Sequence, residues 1–395
     1  MKKSLLFVLP SLRSGGAEKS LVMLLTLIDY SEYDVDLFLF RREGLFLPLV
    51  PECVNITDAG DDYLMFDGSA SGAILNFLKR GKLLSAIDRV MYAKAQSLSE
   101  EDKVSASWKY LSKVLPKRGK EYDAVIGYLE GTATYYAMEC VRAKKRIAFL
   151  HTDYDRIAFQ KKTDEVYYKK ADLLVGVSES CTEKALGYFP FLKGKTATLY
   201  NIISPAIIRK MSREECDFES GDSTVILTVG RMSPPKGIDT AVSACAILRR
   251  KGYNIRWYHI GVGELYEEIK NQIKDLSLQN DFILLKEQSN PYRFMAGCDI
   301  YVQPSRFEGK SIAIDEAKAL CKPIVVTDFD TVFDQITDSL NGIITQKDPE
   351  SVAQGVERLL NDESLRNTLS ENLKNEKVGN EEDINRFYEL LQEKK

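Results

Sequence analysis

Histidine is scarce in this chain, and its cysteines follow no pattern. Two histidines occur among 395 residues, and neither joins a His/Cys cluster with metal-ligand spacing. The seven cysteines are odd in number and show no paired spacing, which suits a reducing cytosol. No apolar run reaches the ~18 residues of a membrane span. We therefore expect a cytoplasmic protein with no His/Cys metal centre.

The glycines and the first residues lack two further signals. The pair Gly15-Gly16 and the turn Gly261-Val-Gly263 both lack G-x-G-x-x-G spacing, which disfavours a nicotinamide-dependent oxidoreductase. Residues 1–9 resemble the start of a signal peptide, but their apolar run stops at Pro10 and no small-residue cleavage site precedes Gly15. We interpret these residues as the first strand of the fold.

Short apolar segments alternate with amphipathic ones along the chain, and 44% of its residues are hydrophobic. This alternation predicts α/β architecture with parallel, doubly wound sheets, and the length suits two domains. We predict Rossmann-like domains over 1–203 and 204–375, a polar linker near 201–220, and a final segment 376–395 with the last helix near 383–393. The predicted strands are 4–9, 35–40, 124–128, 147–150, 173–177, 197–200, 225–229, 256–260, 282–285, 300–302, 324–327 and 342–345.

Residues 299–328 carry the most specific pattern, which is a buried strand, a polar turn at 308–311, a short helix and a second buried strand. This order places the turn at the carboxyl end of a parallel sheet, where open α/β sheets bind ligands. Gly309 lets a ligand approach the backbone, and the helix N-terminus favours an anion. We expect phosphate oxygens to bind the backbone N–H groups of Lys310, Ser311 and Ile312.

Two carboxylates flank this turn. Glu308 precedes the helix, where it can meet a polyol. Glu316 lies about a turn and a half beyond Ser311, at ~3.6 residues per turn, so it can reach past a phosphate to a ribose diol. The alternative interpretation of both glutamates is solvated helix charge.

A second element combines glycine with two cations. Gly230 and Arg231 end the predicted strand 225–229, and Lys236 follows across a loop that contains two prolines. Two fixed cations can neutralise the charge that grows on a departing phosphate without a metal ion. The alternative is a surface arginine and lysine near a strand end.

Three residues in the first half complete the set of candidate site residues. Gly15 and Gly16 stand at a strand-to-helix turn, where they allow a ligand to approach the backbone. His151 ends the apolar segment 147–150, a position typical of site residues. A partly exposed structural histidine is the alternative for His151. We interpret His259, which lies inside an apolar segment, as structural.

These patterns resemble the retaining glycosyltransferases of the GT-B fold in family 4, also called glycosyl transferases group 1, of the bacterial surface-polysaccharide type. Residues 308–316 are similar to the E-x7-E motif of that family, residues 230–237 to its G-R-x-x-x-x-K-G element, and residues 15–18 to its Gly-Gly-x-Glu. The resemblance implies two domains that face each other across a cleft, with the donor in the cleft and the acceptor mainly on the first domain.

The resemblance also implies a role for each matching residue. Glu308 would contact the donor sugar and Glu316 the ribose of the nucleotide. Arg231 and Lys236 would contact the diphosphate, and His151 would face the donor sugar. Retention of configuration is likewise implied by the resemblance alone.

A divalent cation is not expected. The D-x-D pattern through which other glycosyltransferases bind a metal occurs at 34–36, 153–155 and 328–330. Three unrelated matches in a chain with 58 acidic residues suggest chance. Because Arg231 and Lys236 make a metal unnecessary, we expect neither a metal nor a cofactor.

Charge is unevenly distributed. Residues 1–200 hold 29 Lys and Arg against 26 Asp and Glu, a net charge of +3. The remaining residues carry a net charge of −7, which gives −4 for the whole chain. The basic excess lies between Lys79 and Lys120 among leucines and aromatic residues, which makes this stretch a candidate surface for anionic lipid head groups. An ordinary solvated helical face is the alternative. Nucleic acid is a poorer partner because the whole chain is acidic and shows no recognised binding motif.

We expect transfer of a sugar from a nucleotide diphosphate donor to a hydroxyl of a glycan or lipid-linked oligosaccharide, with a UDP-sugar favoured by its frequency in the family. Lys310 departs from the small or apolar residue common in the family, which leaves the sugar open. A nucleotide-sugar epimerase or a phosphorylase on the same fold is the closest rival, because fold alone does not fix chemistry. A non-catalytic nucleotide-sugar sensor is a third hypothesis, which the complete set of charged site residues disfavours.

Overall fold

The computed structural model describes residues 2–13, 15–216, 218 and 221–392. The predicted linker 201–220 and the predicted last segment 376–395 therefore lie partly outside the described residues. The chain divides into two compact units. Unit 1 comprises the residues up to Ile202 and those from Glu382 onward, and unit 2 comprises Ile203–Glu381.

Unit 1 contains a seven-stranded parallel sheet in the order β3-β2-β1-β4-β5-β6-β7. Its strands are β1 (Lys3–Leu9), β2 (Tyr33–Leu39), β3 (Asn55–Asp58), β4 (Glu121–Gly127), β5 (Arg142–Leu150), β6 (Leu173–Gly176) and β7 (Thr196–Thr198). Its first eight helices are α1 (Gly16–Leu27), α2 (Gly60–Phe66), α3 (Ala70–Lys79), α4 (Leu83–Ala95), α5 (Glu100–Leu111), α6 (Thr132–Glu139), α7 (Lys161–Tyr168) and α8 (Glu179–Tyr188).

Strand β1 shows why the sheet of unit 1 is buried on both faces. Leu6 and Val8 pack into the core on one face, and Leu5, Phe7 and Leu9 pack into the core on the other. Successive side chains of a strand point to opposite faces, and parallel sheets carry helices on both. An uninterrupted apolar run is therefore what a central parallel strand requires.

Unit 2 contains a six-stranded parallel sheet in the order β10-β9-β8-β11-β12-β13. Its strands are β8 (Thr224–Val229), β9 (Ile255–Ile260), β10 (Phe282–Leu284), β11 (Ile300–Gln303), β12 (Ile324–Thr327) and β13 (Ile343–Thr345). Its helices are α9 (Pro205–Met211), α10 (Ile238–Arg250), α11 (Tyr266–Asp275), α12 (Pro291–Gly297), α13 (Ile312–Ala319), α14 (Pro349–Asn361) and α15 (Glu363–Asn375).

The last helix, α16 (Asp383–Leu391), packs in unit 1. The ring of Phe387 stacks on Phe7 with centroids 5.9 Å apart, and that of Tyr388 stacks on Tyr33 at 5.1 Å. Residues 376–381, which the sequence assigned to the same final segment, belong to unit 2. Of the helices among the described residues, none combines the length and the apolar character that crossing a membrane would demand.

The structure confirms the predicted class of two doubly wound parallel-sheet domains, and each of the predicted strands overlaps an observed one. The sequence missed strand β3 and interpreted helix α9 as part of a linker. Strand β3 lies at the edge of its sheet, and its residues are exposed or half-buried, so it has no apolar run to reveal it. Helix α9 occupies the predicted polar linker, where Ile208 is buried.

Candidate active site

Glu308 is the most firmly held side chain at the carboxyl end of the sheet in unit 2. It follows β11 and is 7% exposed. Its Oε1 accepts hydrogen bonds from Lys236 Nζ at 2.7 Å, Ser305 Oγ at 2.7 Å and Gln303 Nε2 at 3.2 Å, and its Oε2 accepts from Lys236 Nζ at 2.7 Å. The carboxylate is thus fixed in one orientation by an ammonium group and two neutral donors.

Lys236 reaches this carboxylate because its loop is tightly packed. Its side chain runs past Gly230, where an added Cβ would lie 3.8 Å from the Lys236 Cδ. Gly237 follows with φ 63°, and a Cβ there would lie 2.0 Å from the carbonyl oxygen of Pro304. Only glycine fits this left-handed, crowded position. The loop after β8 is therefore held against the loop that carries Glu308.

Arg231 occupies the same loop as Lys236, with an exposed side chain. Within the described part of the chain no carboxylate pairs with its guanidinium. The loop after β9 supports it: Cβ atoms added at Gly261 and Gly263 would lie 2.0 Å from the Gly230 oxygen and 2.2 Å from the Met232 oxygen. These two glycines, which are an incomplete dinucleotide fingerprint in the sequence, thus allow two loops to pack backbone on backbone beneath Arg231.

The turn before α13 differs from the sequence expectation at Ser311. Its N–H, expected to face a phosphate, donates to Gln335 Oε1 at 2.9 Å. Gln335 Nε2 in turn donates to the Ser311 oxygen at 2.9 Å and to Asp315 Oδ1 at 2.8 Å. A buried N–H needs a partner, and the loop after β12 supplies one from within the protein. The Ser311 N–H is therefore not an open donor in this structure.

The neighbours of Ser311 are more open. A Cβ added at Gly309 would meet no described atom within 4 Å, so the protein itself leaves room there. Lys310 is exposed, and its Nζ lies 3.6 Å from Asp315 Oδ2. Ile312 is the first residue of α13. An anion at this helix end would meet the helix dipole and the Lys310 ammonium group.

Glu316 lies on α13 and is 2% exposed. The hydroxyl of Tyr292, on α12, donates to its Oε1 at 3.0 Å. Burial and the adjacent Glu316 carboxylate hold the pKa of Tyr292 well above its usual range, so the hydroxyl stays protonated and donates. Tyr292 thus orients the carboxylate that the sequence assigned to the ribose.

His151 follows β5 in unit 1, at the carboxyl edge of the sheet. The backbone N–H of His151 donates to Glu130 Oε2 at 3.0 Å, and the centroid of its ring lies 5.0 Å from that of the Tyr128 ring. Burial lowers the pKa of His151 to about 4, so the imidazole is neutral near pH 7. Its Nε2 is buried and has no partner among the described atoms. One ring nitrogen is thus left without a partner among the described residues of unit 1.

Gly15 and Gly16 begin α1, after the carboxyl end of β1. The Glu18 carboxylate folds over Gly15, where an added Cβ would lie 2.0 Å from Glu18 Oε2. Glycine is favoured at position 15 because the Glu18 side chain of the same helix occupies the space that a Cβ would fill. Strands β1, β4 and β5 are neighbours in the sheet, so the Gly15-Gly16 turn, Glu130 and His151 all follow adjacent strand ends.

The acids of one D-x-D match are paired within unit 1. Asp153 and Asp155, one D-x-D match, both pair with Lys184, at 2.8 and 3.0 Å. Among the residues that the structure describes, no group of three or more histidine, cysteine, aspartate or glutamate side chains could hold a metal ion. His259 is fully buried in β9, and burial lowers its pKa to about 3.

Comparison with known proteins gives the class of enzyme to which the chain belongs. Residues 214–376, which include all the unit 2 residues above, match the model of the family Glycosyl transferases group 1. The chain is 26% identical over 359 residues to the N-acetylgalactosamine-N,N'-diacetylbacillosaminyl-diphospho-undecaprenol 4-alpha-N-acetylgalactosaminyltransferase of Campylobacter jejuni, with 90% of each protein covered. The chain is a glycosyltransferase.

Two further relatives agree. The capsular polysaccharide biosynthesis glycosyltransferase CapM of Staphylococcus aureus is 33% identical to this glycosyltransferase over 153 residues, 38% of this chain and 40% of CapM. The crystal structure of Anabaena HepE with UDP-glucose superposes with a TM-score of 0.65 and 19% identity over 98% of this chain and 99% of HepE. The fold is GT-B, as the sequence predicted.

Proposed function

We propose that this glycosyltransferase moves a sugar from a UDP-sugar to a hydroxyl of a glycan or lipid-linked oligosaccharide, with retention of configuration and without a metal ion. The observation that carries the proposal is the Glu308 carboxylate, held by Lys236, Ser305 and Gln303 beside an exposed Arg231. A rigid acceptor of hydrogen bonds next to two cations suits a sugar attached to a diphosphate.

The two cations take different parts in the reaction. Negative charge grows on the diphosphate as its bond to the sugar breaks, and fixed cations lower the energy of that state. Arg231 has a forked guanidinium suited to two phosphate oxygens. Lys236 has three N–H donors, so its ammonium group can hold Glu308 and a phosphate oxygen together.

The two carboxylates bind different parts of the donor. Glu308 faces the sugar hydroxyls, and Glu316, oriented by Tyr292, accepts hydrogen bonds from the ribose diol. His151 supplies a neutral nitrogen in unit 1 that can accept a hydrogen bond from a hydroxyl. Arg231 and Lys236 supply the cations that this reaction needs, so no metal ion is required.

The relatives support a nucleotide of the UDP class and a lipid-linked acceptor. HepE has been crystallised with UDP-glucose, and the name of the Campylobacter relative specifies a diphospho-undecaprenol substrate. An acceptor anchored in a bilayer would bring the enzyme to the inner face of the membrane from the cytoplasm. Peripheral attachment to an anionic surface through residues 79–120 forms part of this proposal.

Nucleotide release tests the proposal directly. Purified protein is incubated with UDP-sugars and GDP-sugars in EDTA, with and without diphospho-undecaprenol-linked saccharides, and free nucleotide and sugar products are measured. We expect acceptor-dependent UDP release and an anomerically retained product. An epimerase would instead convert the donor sugar without an acceptor, and complete inhibition by EDTA that Mn²⁺ reverses would refute metal independence.

Arg231→Ala tests the role of Arg231 in turnover, and Arg250→Ala is its control. Both arginines are exposed, but Arg250 lies at the far end of α10, about 18 Å along the helix from its start at ~1.5 Å per residue. We expect turnover to fall ~10²-fold in Arg231→Ala, the usual effect of losing one transition-state contact. Arg250→Ala should match the wild type. Equal turnover in all three proteins would refute the role of Arg231.

A further inference from the structure

Helices α3 and α4 of unit 1 form a hairpin with a tight basic turn. Gly81 adopts φ 69°, the Gly81 N–H donates to the Leu78 oxygen at 3.0 Å, and the Lys82 N–H donates to the Phe77 oxygen at 2.9 Å. This pattern ends α3 sharply at a glycine in the left-handed region. A Cβ added at Gly81 would meet nothing within 4 Å, so the turn projects into open space.

Helix α4 presents its large apolar side chains outward. Its buried residues are Ala86, Arg89 and Ala95. Its exposed face carries Leu83 and Leu84, 61% and 77% exposed, followed at helical spacing by Ile87, Val90 and Met91. An ordinary surface helix buries its leucines and exposes its small or charged residues, so the arrangement in α4 is reversed.

The exposed apolar residues are concentrated here. Of the 17 large hydrophobic side chains that are exposed in the described part of the chain, nine fall within residues 64–98. Leu75 and Leu78 of α3 add to the face of α4 around the same turn. Scattered apolar residues need no explanation, but such a concentration marks an interaction surface.

The charge around the turn is positive. Residues 70–95 contain five cations, at positions 79, 80, 82, 89 and 94, and one acid, Asp88, a net of +4. Asp88 pairs with Lys113 at 2.5 Å, and Lys82 pairs with Asp62. Lys79 and Arg80 are exposed at the turn, and no acidic side chain of the described residues pairs with them.

We propose that the α3–α4 hairpin binds an anionic lipid bilayer by inserting the apolar face of Leu83, Leu84 and Ile87 among the head groups, while Lys79 and Arg80 contact lipid phosphates. Apolar insertion flanked by cations is the pattern of interfacial membrane helices. A second copy of the chain is a poorer occupant, because two positive faces would then meet. The inference rests on the proposed function only for the view that the acceptor lies in a membrane.

The hairpin includes only the first part of the stretch 79–120 that the sequence indicated as a candidate lipid-binding surface. The Arg118 guanidinium lies over the Phe38 ring, 4.8 Å from its centroid, and donates to Thr57 Oγ1. Lys120 pairs with Asp36 at 3.0 Å. These two side chains at the carboxyl end of the stretch are therefore engaged within unit 1, and we assign the membrane contact to the hairpin.

Vesicle co-sedimentation tests the inference without donor or acceptor, so its outcome is independent of the catalytic proposal. Full-length protein is mixed with phosphatidylglycerol–phosphatidylcholine vesicles or with phosphatidylcholine alone, over a range of salt. We expect binding to anionic vesicles only. The partition coefficient should fall at least tenfold when Leu83→Ser, Leu84→Ser and Ile87→Ser are combined, and binding at low salt should weaken in Lys79→Ala with Arg80→Ala.

Two controls make the test specific. Val166→Ser, Leu276→Ser and Leu340→Ser remove three exposed apolar side chains elsewhere and should bind like the wild type. Lys120→Ala tests the end of the stretch that is engaged within unit 1 and should also bind normally. Absence of binding to anionic vesicles, or wild-type binding by the triple serine variant of α4, would overturn the inference. Sedimentation as a dimer that the same variant abolishes would assign the surface to a second copy.

Discussion

Lys236→Ala is the most informative substitution at the candidate site, because the structure gives this lysine a part in the fold and the proposed function gives it one in the chemistry. Its Nζ lies 2.7 Å from both carboxylate oxygens of Glu308, and the two side chains are 27% and 7% exposed. Alanine would leave Glu308 with only Ser305 and Gln303 as donors. The variant should therefore lose stability as well as activity, whereas the sequence alone gives no reason to expect a folding effect.

The magnitudes follow from the geometry. Breaking a fully buried ion pair costs ~3–5 kcal/mol, and a hydrogen bond to a charged group contributes ~1.5–3 kcal/mol. Lys236 is partly exposed and two donors to Glu308 remain, so we expect a loss of about 2 kcal/mol in the free energy of unfolding. Turnover should fall by ~10²-fold because a transition-state contact to the diphosphate is lost.

A double-mutant cycle separates the two effects. Urea unfolding is measured for the wild type, Lys236→Ala, Glu308→Gln and the double variant. Glutamine removes the unpaired charge, so the double variant should be destabilised by less than the sum of the single variants, with a coupling of ~1–2 kcal/mol. Activity should not recover in it, because neither the cation nor the carboxylate returns.

The surface pair Lys251–Glu357 provides the matched control. Its N–O distance is 2.6 Å, close to that of the site pair, but the two side chains are 44% and 25% exposed. Exposed pairs contribute ~0–1 kcal/mol, so Lys251→Ala should unfold almost like the wild type and retain full turnover. If Lys236→Ala were as stable and as active as Lys251→Ala, both roles assigned to Lys236 would be refuted.

Three further measurements probe other polar groups of the two units. Tyr292→Phe should lower the affinity for UDP about fivefold, as expected for losing ~1 kcal/mol from a hydrogen bond, but leave the affinity for 2',3'-dideoxy-UDP unchanged in calorimetry; an equal loss for both nucleotides would contradict orientation of Glu316. Burial lowers the pKa of His151 to about 4 and that of His259 to about 3, so neither histidine resonance should titrate between pH 5.5 and 8, and a midpoint near 6.5 would be inconsistent with a buried ring. Burial raises the pKa of Asp164 from 3.8 to about 6. The protonated carboxyl group therefore contributes to the free energy of unfolding below about pH 4, and this contribution is lost as pH rises through 6. Unfolding of Asp164→Asn should therefore show a smaller loss of stability between pH 4 and 7 than the wild type, by up to about 3 kcal/mol, and parallel pH profiles would refute this.

The fold was largely predictable because parallel strands buried on both faces must be apolar throughout. Strand β1 satisfies this rule with Leu5 to Leu9, all buried. Strand β3 escapes it, since an edge strand has one partner and its residues Asn55–Asp58 face solvent in part. The sequence thus reveals central strands through hydrophobic burial but gives little sign of edges.

The charged residues of the candidate site could be located from the sequence, whereas the groups that hold them could not. Glu308 and Lys236 stand at strand ends that order along the chain can locate. Tyr292 and Glu316 are 24 positions apart, as are Ser311 and Gln335, and each pair meets only through the packing of separate elements. No local spacing encodes such contacts, so the expectation of an open Ser311 N–H failed for the same reason that Tyr292 was missed.

Charge along the sequence and charge on the surface also differ, and the stretch from Lys79 to Lys120 shows why. A count of cations treats Arg80 and Arg118 alike. In the structure Arg118 lies over the Phe38 ring, whereas Arg80 is exposed beside a turn that projects into open space. Because only a cation without an internal partner is available to a lipid phosphate, the folded chain and not the charge run determines which part of this stretch can meet a membrane.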